Sequence, residues 1–549
     1  MVLGLTNDLS HSNETVPDTE FGTALNRNLH GLRLIRFPGG NLARRSLLYA
    51  VGFLLATWLG TYSTVANAQD VPPCPPSIDG SANTNCPSST PAPPPADDSS
   101  YGPRSGACPG VPTSFSTSTT VSTQSALAAA YAAASPGDAI VVQNGTYSWS
   151  GIALNRNGTS ANPIYIVAAT RGGVTLSSGS FSMTGSYNVV AGFNFTASSG
   201  TRFNVSGPHN AILCAQSTGT PTQHIAVPSN NNADFLEIAD SVFSGCGGGN
   251  SHGLSISRCN PTSSSCTSNA LGVHIHHNKF MNCPRDSNAS NDHEAIVVGL
   301  GYYPAPGATV FNPDGTNMDM IIENNLFDGW NGEEELITIK SSHNIIRNNC
   351  VKNAPNTYFV NRLGDNNLIT GNWQQGVRNG GMRISGAGTT YAFNYYSTSG
   401  HGAHAFRLHQ GGYSGSLYTY LSADNAVLEY NVFNRLDHAM ETRARLGGTF
   451  DDAPSGVVFQ NNDFYSSAFV GGASASSSSY QNTDGTWTYS QFIANNTWGT
   501  NTVINSNLTD TDCGDPSLFD GPGTQGITHI PGNPNLLDPN DIYPPSWWD

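Results

Sequence analysis

Asn324-Asn325-Leu326-Phe327, Arg347-Asn348-Asn349-Cys350, Gly371-Asn372-Trp373 and Phe393-Asn394-Tyr395 follow one another along the chain, and Asn325, Asn349, Asn372 and Asn394 stand 24, 23 and 22 residues apart. Related segments recur at Asn278, Asn431, Asn462 and Asn496, with wider gaps that leave room for loops. A period this short, carried by β-rich segments, marks a solenoid whose coils stack on one another. Asparagine suits the corner of a coil because it tolerates left-handed backbone geometry and its amide can hydrogen-bond to neighbouring backbone. Chance spacing in an asparagine-rich chain would not give three consecutive near-equal intervals. The expected fold is all-β, a right-handed parallel β-helix. A short N-terminal capping helix is expected over Gln124 to Ala134, an alanine-rich stretch ended by Ser135-Pro136-Gly137-Asp138.

Composition agrees with a turn-rich chain of little surface helix: 59 glycines, 33 prolines and 11% charged residues. The formal net charge of −16 argues against nucleic-acid binding, which needs a basic face. The cations are concentrated, however. Ten of the 22 lysines and arginines fall between Lys340 and Arg445, which leaves room for a polyanion to bind an otherwise acidic protein.

The N-terminus points to export. Arg44-Arg45 precede an apolar run from Leu47 to Leu59, and Ala66-Asn67-Ala68 offers a small-x-small cleavage site. The run is too short to span a bilayer well, so a cleaved signal is expected rather than an anchor, with the mature protein extracellular or periplasmic and free of the membrane. Ten cysteines suit an oxidising space. Cys74 with Cys86 and Cys259 with Cys266 are close enough to close small loops, and further pairing stays open. The expected organisation is a leader and signal over 1–68, a Pro/Ser-rich linker over 69–107, a β-helix domain over 108–505 and a C-terminal tail or cap over 506–549. A monomer is expected.

The chemistry concentrates in Glu333-Glu334-Glu335-Leu336-Ile337-Thr338-Ile339-Lys340, where one of only three lysines in the chain stands beside a carboxylate cluster. Arg362-Leu363-Gly364-Asp365 and Gly380-Gly381-Met382-Arg383 follow. Together with the opening at 126–142, Gly145-Thr146-Tyr147, the segments at 162–168 and 185–195, and Asn324-Asn325-Leu326-Phe327, these motifs resemble polysaccharide lyase family six, which contains chondroitinase B and many alginate lyases. The likeness covers roughly residues 120 to 450.

The resemblance implies a Ca²⁺-assisted β-elimination on an anionic, uronic-acid polysaccharide, leaving 4,5-unsaturated ends. It maps the calcium ligands to Asn291, Glu333 and Glu335, an oxygen-only set suited to a hard cation, the base to Lys340 and the acid to Arg362. Lys340 would remove the C5 proton, which requires its basicity to be shifted down from a free value of about 10.4. Guanidinium deprotonates only above about 12, so Arg362 is expected to stabilise the leaving oxygen. Arg383 resembles the arginine of alginate-type members, which favours alginate over dermatan sulfate or chondroitin, and Arg407 and His409 are further substrate-binding candidates.

Three departures from the family pattern stand out. Leu363 replaces a histidine, whose part His401, His404 or His409 could take. Glu334 occupies a position where a small or apolar side chain would face the interior. Strict alternation puts Lys340 on the opposite face from Glu335, so a bend between them is required, and one residue is inserted before Arg362, making Asn361 its neighbour. Two other classes remain open at this point: a β-helix glycoside hydrolase using an aspartate pair, suggested by Asp451-Asp452, and a glycan-binding β-helix without activity.

Overall fold

The computed structural model describes residues 101–513 with interruptions, the longer ones at 286–292, 399–403, 444–448, 466–479, 483–494 and 509–512. Three parallel sheets of 14, 12 and 13 strands run through the described chain, and neighbouring strands in each sheet come from successive coils. One coil consists of Ile321–Glu323, Leu326–Trp330 and Glu335–Lys340, and the next of Ile345–Arg347, Cys350–Lys352 and Tyr358–Asn361. This is the expected parallel β-helix, with the right-handed sense of parallel crossover connections.

The short strands alternate, so each sends one or two apolar side chains inward. Stacking without offset aligns them: Ile275 pairs with Ile322, Ile322 with Ile346, and Ile346 with Ile369. All four are fully buried, each contributing about 1.5–3 kcal/mol by leaving water.

The asparagine period has a direct cause. Nδ2 of Asn325 donates to Oδ1 of Asn349 at 3.0 Å, Asn349 to Asn372 at 3.0 Å and Asn372 to Asn394 at 3.0 Å. The ladder begins at Asn278 and continues through Asn431 and Asn462. Its last rung is Asn501, not the expected Asn496: Asn462 donates to Asn501, while Asn496 accepts from the backbone of Val457 on a neighbouring turn. The left-handed residue at each corner is the one before the ladder asparagine, as at Asn324, Asn348, Gly371, Phe393 and Tyr430. Amide pairing, rather than tolerance of positive φ, therefore explains why asparagine recurs.

The capping helix spans Gln124–Ala133, with the Thr123 hydroxyl accepting from the Ala126 amide at its start. It buries Leu127 and Tyr131 against strands Thr117–Val121, Asp138–Val142 and Ile152–Leu154, closing the apolar end of the solenoid. The packed chain begins before it, within the stretch read as linker. Tyr101 is buried beside Leu326, Cys350 and Trp373, and Arg104 forms a 2.6 Å ion pair with Asp240. Cys259 and Cys266 are joined as expected, and Cys108–Cys214, Cys246–Cys283 and Cys350–Cys513 are further bridges. Cys350–Cys513 ties the start of the tail to the side of the coil. Cys74, Cys86 and the signal segment lie outside the described residues. Among the described residues no helix is long and apolar enough to cross a membrane.

The wide intervals of the ladder have their own product. Tyr303–Pro304, Leu417–Tyr420, Gly411–Ser414 and Thr449–Asp452 form a four-stranded antiparallel sheet outside the coil. Its strands come from the 47-, 37- and 31-residue steps Asn278 to Asn325, Asn394 to Asn431, and Asn431 to Asn462.

Candidate active site

The 12-stranded sheet brings the chemistry together. Ile296–Gly299, Glu335–Lys340, Tyr358–Asn361, Met382–Ile384 and His404–His409 are consecutive neighbours in it. The bend required between Glu335 and Lys340 is present as a register shift between Glu335 and Ile337 in the pairing with Tyr358–Asn361. Leu336 and Ile337 both enter the core, so the alternation changes parity, and Glu335, Thr338 and Lys340 share the outer face.

Glu294, Glu333 and Glu335 are all buried, and their carboxylate oxygens lie within 4.8 Å of one another. Burial first, then the charges of Glu294 and Glu335, push the Glu333 carboxyl well above the usual carboxylate range. Burial would raise Glu335 too, but Arg383, followed by Arg362 and Lys340, outweighs it and holds this carboxyl below its ordinary value. Thr338 donates to Glu335 Oε2 at 2.9 Å, and His252 Nδ1 lies 2.6 Å from Glu294 Oε2. Oε1 of Glu333 is buried with no hydrogen-bond partner among the described residues. Three converging buried carboxylates, with an oxygen of Glu333 left without a partner among the described residues, fit a hard divalent cation such as Ca²⁺.

A row of cations flanks this cluster. Arg383 donates from Nη1 to Glu335 Oε1 at 2.8 Å and from Nη2 to the Tyr420 hydroxyl. Arg362 lies just past the end of its strand, half-buried, with its guanidinium carbon 5.0 Å from the Tyr420 ring centre. Lys340 is half-exposed at the strand end, and its carbonyl accepts from Arg258 Nε at 2.8 Å. Arg407 lies over the Tyr358 ring, and the Tyr358 hydroxyl donates to Glu334 at 3.2 Å.

Seven of the eight residues singled out in the sequence, Glu333, Glu335, Lys340, Arg362, Arg383, Arg407 and His409, gather at one face of the sheet. Asn291 lies outside the described residues, and Glu294 occupies the third position of the carboxylate cluster. Sequence reading missed Glu294, although Glu294-Ala295-Ile296-Val297-Val298 has the same form as Glu335-Leu336-Ile337, a carboxylate opening an apolar strand. His409 is buried and stacked on Tyr420 at 4.9 Å, so on that face it is covered by a neighbour. Glu334 is exposed, not turned inward, because the strand starts only at Glu335. Leu363 is buried. His401 lies outside the described residues. Asn361, fully buried, donates to Gly364 O and Thr389 Oγ1 and shapes the turn after Arg362.

Residues 121–446 match the family described as chondroitinase B. Among solved structures, a PL6-family polysaccharide lyase from Pseudopedobacter saltans is similar with a TM-score of 0.55 at 20% identity, over 71% of this chain and 92% of that one. The PL6-family alginate lyase AlyGC gives a TM-score of 0.56 at 20% identity, over 72% of this chain and 53% of its own. A mannuronic acid specific family 6 lyase from human gut microbiota gives 0.52 at 18% identity, over 71% and 91%. At these identities the structural likeness speaks for the fold. No curated protein sequence matches the chain.

Proposed function

The chain belongs to the chondroitinase B family of polysaccharide lyases, and from that premise we propose that it cleaves alginate by a Ca²⁺-assisted β-elimination. The observation that carries the reading is the juxtaposition of the carboxylate cluster Glu294, Glu333 and Glu335 with Lys340, Arg362 and Arg383 on one sheet face. Glu294, Glu333 and Glu335 would hold the cation, which when bound neutralises the uronate carboxylate and so makes the adjacent C5 proton more acidic.

Lys340 takes that proton. Its half-exposed position at the strand end, on the same face as Glu335, gives its amine access to a chain lying across the coils. Arg362 faces charge developing on the leaving O4 and stabilises it while water completes the proton transfer. Arg383 is engaged by Glu335 and Tyr420, so its first role is as the counter-charge that keeps Glu335 ionised. Arg407 is the candidate for a further uronate carboxylate. Alginate is preferred to dermatan sulfate because Arg383 stands where the alginate-type members carry arginine, and because similar structures are described as alginate lyases.

The protein is proposed to act outside the cytoplasm, after removal of the signal ending near Ala68. The substrate assignment is tested by offering alginate, dermatan sulfate and pectate in parallel, each with calcium and with chelator. Unsaturated product from alginate alone supports the assignment, and product from dermatan sulfate alone replaces it.

A further inference from the structure

Tyr420 does not belong to the repeating coil. It ends the strand Leu417–Tyr420 of the external antiparallel sheet, which exists because the step from Asn394 to Asn431 is 37 residues instead of 22 to 24. The ring is buried and meets three residues of the site face. The guanidinium carbons of Arg362 and Arg383 lie 5.0 and 4.9 Å from its centre, and His409 stacks on it at 4.9 Å with 17° between the planes. Its hydroxyl accepts from Arg383.

The two arginines are restrained differently. Arg383 has Glu335 as well as the phenol. Arg362 stands beyond its strand, and its Nε is buried with no hydrogen-bond partner among the described residues. Its charge instead rests against the face of an aromatic ring, an arrangement that is stronger when desolvated. An arginine held by a ring keeps its Nη donors for a ligand, whereas Arg383 gives Nη1 to a carboxylate and Nη2 to the phenol.

We propose that Tyr420 is a positioning residue for the elimination. Its ring aims Arg362 at the leaving oxygen without consuming the guanidinium donors. This rests on the lyase reading of the site above. His409, behind the ring, fixes the plane of the phenol. The antiparallel sheet is thereby a functional part of the site, contributed by three long steps of the solenoid.

The test measures kcat and KM for unsaturated-product formation by the calcium-loaded protein and its Tyr420→Leu and Tyr420→Phe variants, in the native background and with Arg362→Lys. Tyr420→Leu is expected to lower kcat roughly ten- to thirtyfold, the size of a desolvated cation–π contact, with little change in KM and an unaltered calcium-induced rise in Tm. In the Arg362→Lys background the same change is expected to cost less than about threefold, because the group it positions is already replaced. Tyr420→Phe keeps the ring and is expected to retain kcat within about threefold, and it carries the test if the leucine variant does not fold. A folded Tyr420→Leu with native kcat, an equal loss in both backgrounds, or a Tyr420→Phe as impaired as Arg362→Lys would overturn the proposal alone. No product from the unaltered protein on any uronan would overturn the lyase reading with it.

Discussion

Replacing Glu333 by glutamine separates a metal centre from an ordinary hydrogen-bonded cluster. Carboxylate oxygens within 4.8 Å repel by roughly 3–4 kcal/mol per ionised pair at an effective dielectric constant of about 20. Three ionised groups would carry roughly 10 kcal/mol of repulsion, comparable with the whole stability of a typical domain. Without a cation a proton on Glu333 relieves this, in line with burial and the Glu294 and Glu335 charges, which raise that carboxyl far above its usual range. Glutamine mimics that protonated state, so Glu333→Gln in chelator should melt at the native temperature or slightly above it. With calcium the outcomes diverge. At one hundred times its Kd a ligand stabilises the native state by about 2.7 kcal/mol, roughly 3 °C for a domain of this size. The unaltered protein should show that rise by scanning calorimetry and Glu333→Gln little of it. Calcium must also displace the Glu333 proton, so its affinity should increase with pH. A variant that melts well below native in chelator, or gains as much from calcium as the native protein, would refute the reasoning.

Asn372→Ala removes donors to Ile346 O and Asn394 Oδ1 and the acceptor of the Asn349 amide groups. Leaving such buried groups unpaired should cost about 2–4 kcal/mol in denaturant unfolding. His224 is fully enclosed, and burial, reinforced by Arg202, lowers its pKa to about 4 despite the bond to Gly245 O. Between about 6.5 and 4 the unfolded chain binds a proton that the folded chain excludes. Stability should therefore fall as pH drops through that window, by roughly 3 kcal/mol in all, and His224→Gln should flatten the slope of melting temperature against pH. Cys513→Ser opens a bridge spanning 163 residues and should lower stability by about 2–5 kcal/mol, with altered fluorescence from Trp373 in the cluster beside Cys350.

The solenoid was legible because its period is enforced by side-chain chemistry. Each ladder asparagine must meet the next, so the spacing survives in the sequence wherever the intervening loops are short. Where a step lengthens the period breaks, and Asn501, 39 residues beyond Asn462, was missed in favour of Asn496. The site was legible through the family-like motifs that carry Glu335, Lys340 and Arg383. It was obscured where alternation fails, since a bulge that buries both Leu336 and Ile337 has no sequence signature of its own. Glu294 and Tyr420 join the site only through tertiary pairing, although Glu294 opens an apolar strand just as Glu335 does. The first is brought to Glu333 only by stacking of coils, the second only by pairing among three insertions far apart in the chain.

Removal of a uronate C5 proton by Lys340 is read out most directly by ultraviolet absorbance of unsaturated product from calcium-loaded native protein and Lys340→Ala on alginate. A steady rise is expected with the native protein and a loss of at least about a hundredfold in the variant, the scale of general base catalysis. Product formed by Lys340→Ala at the native rate would contradict it.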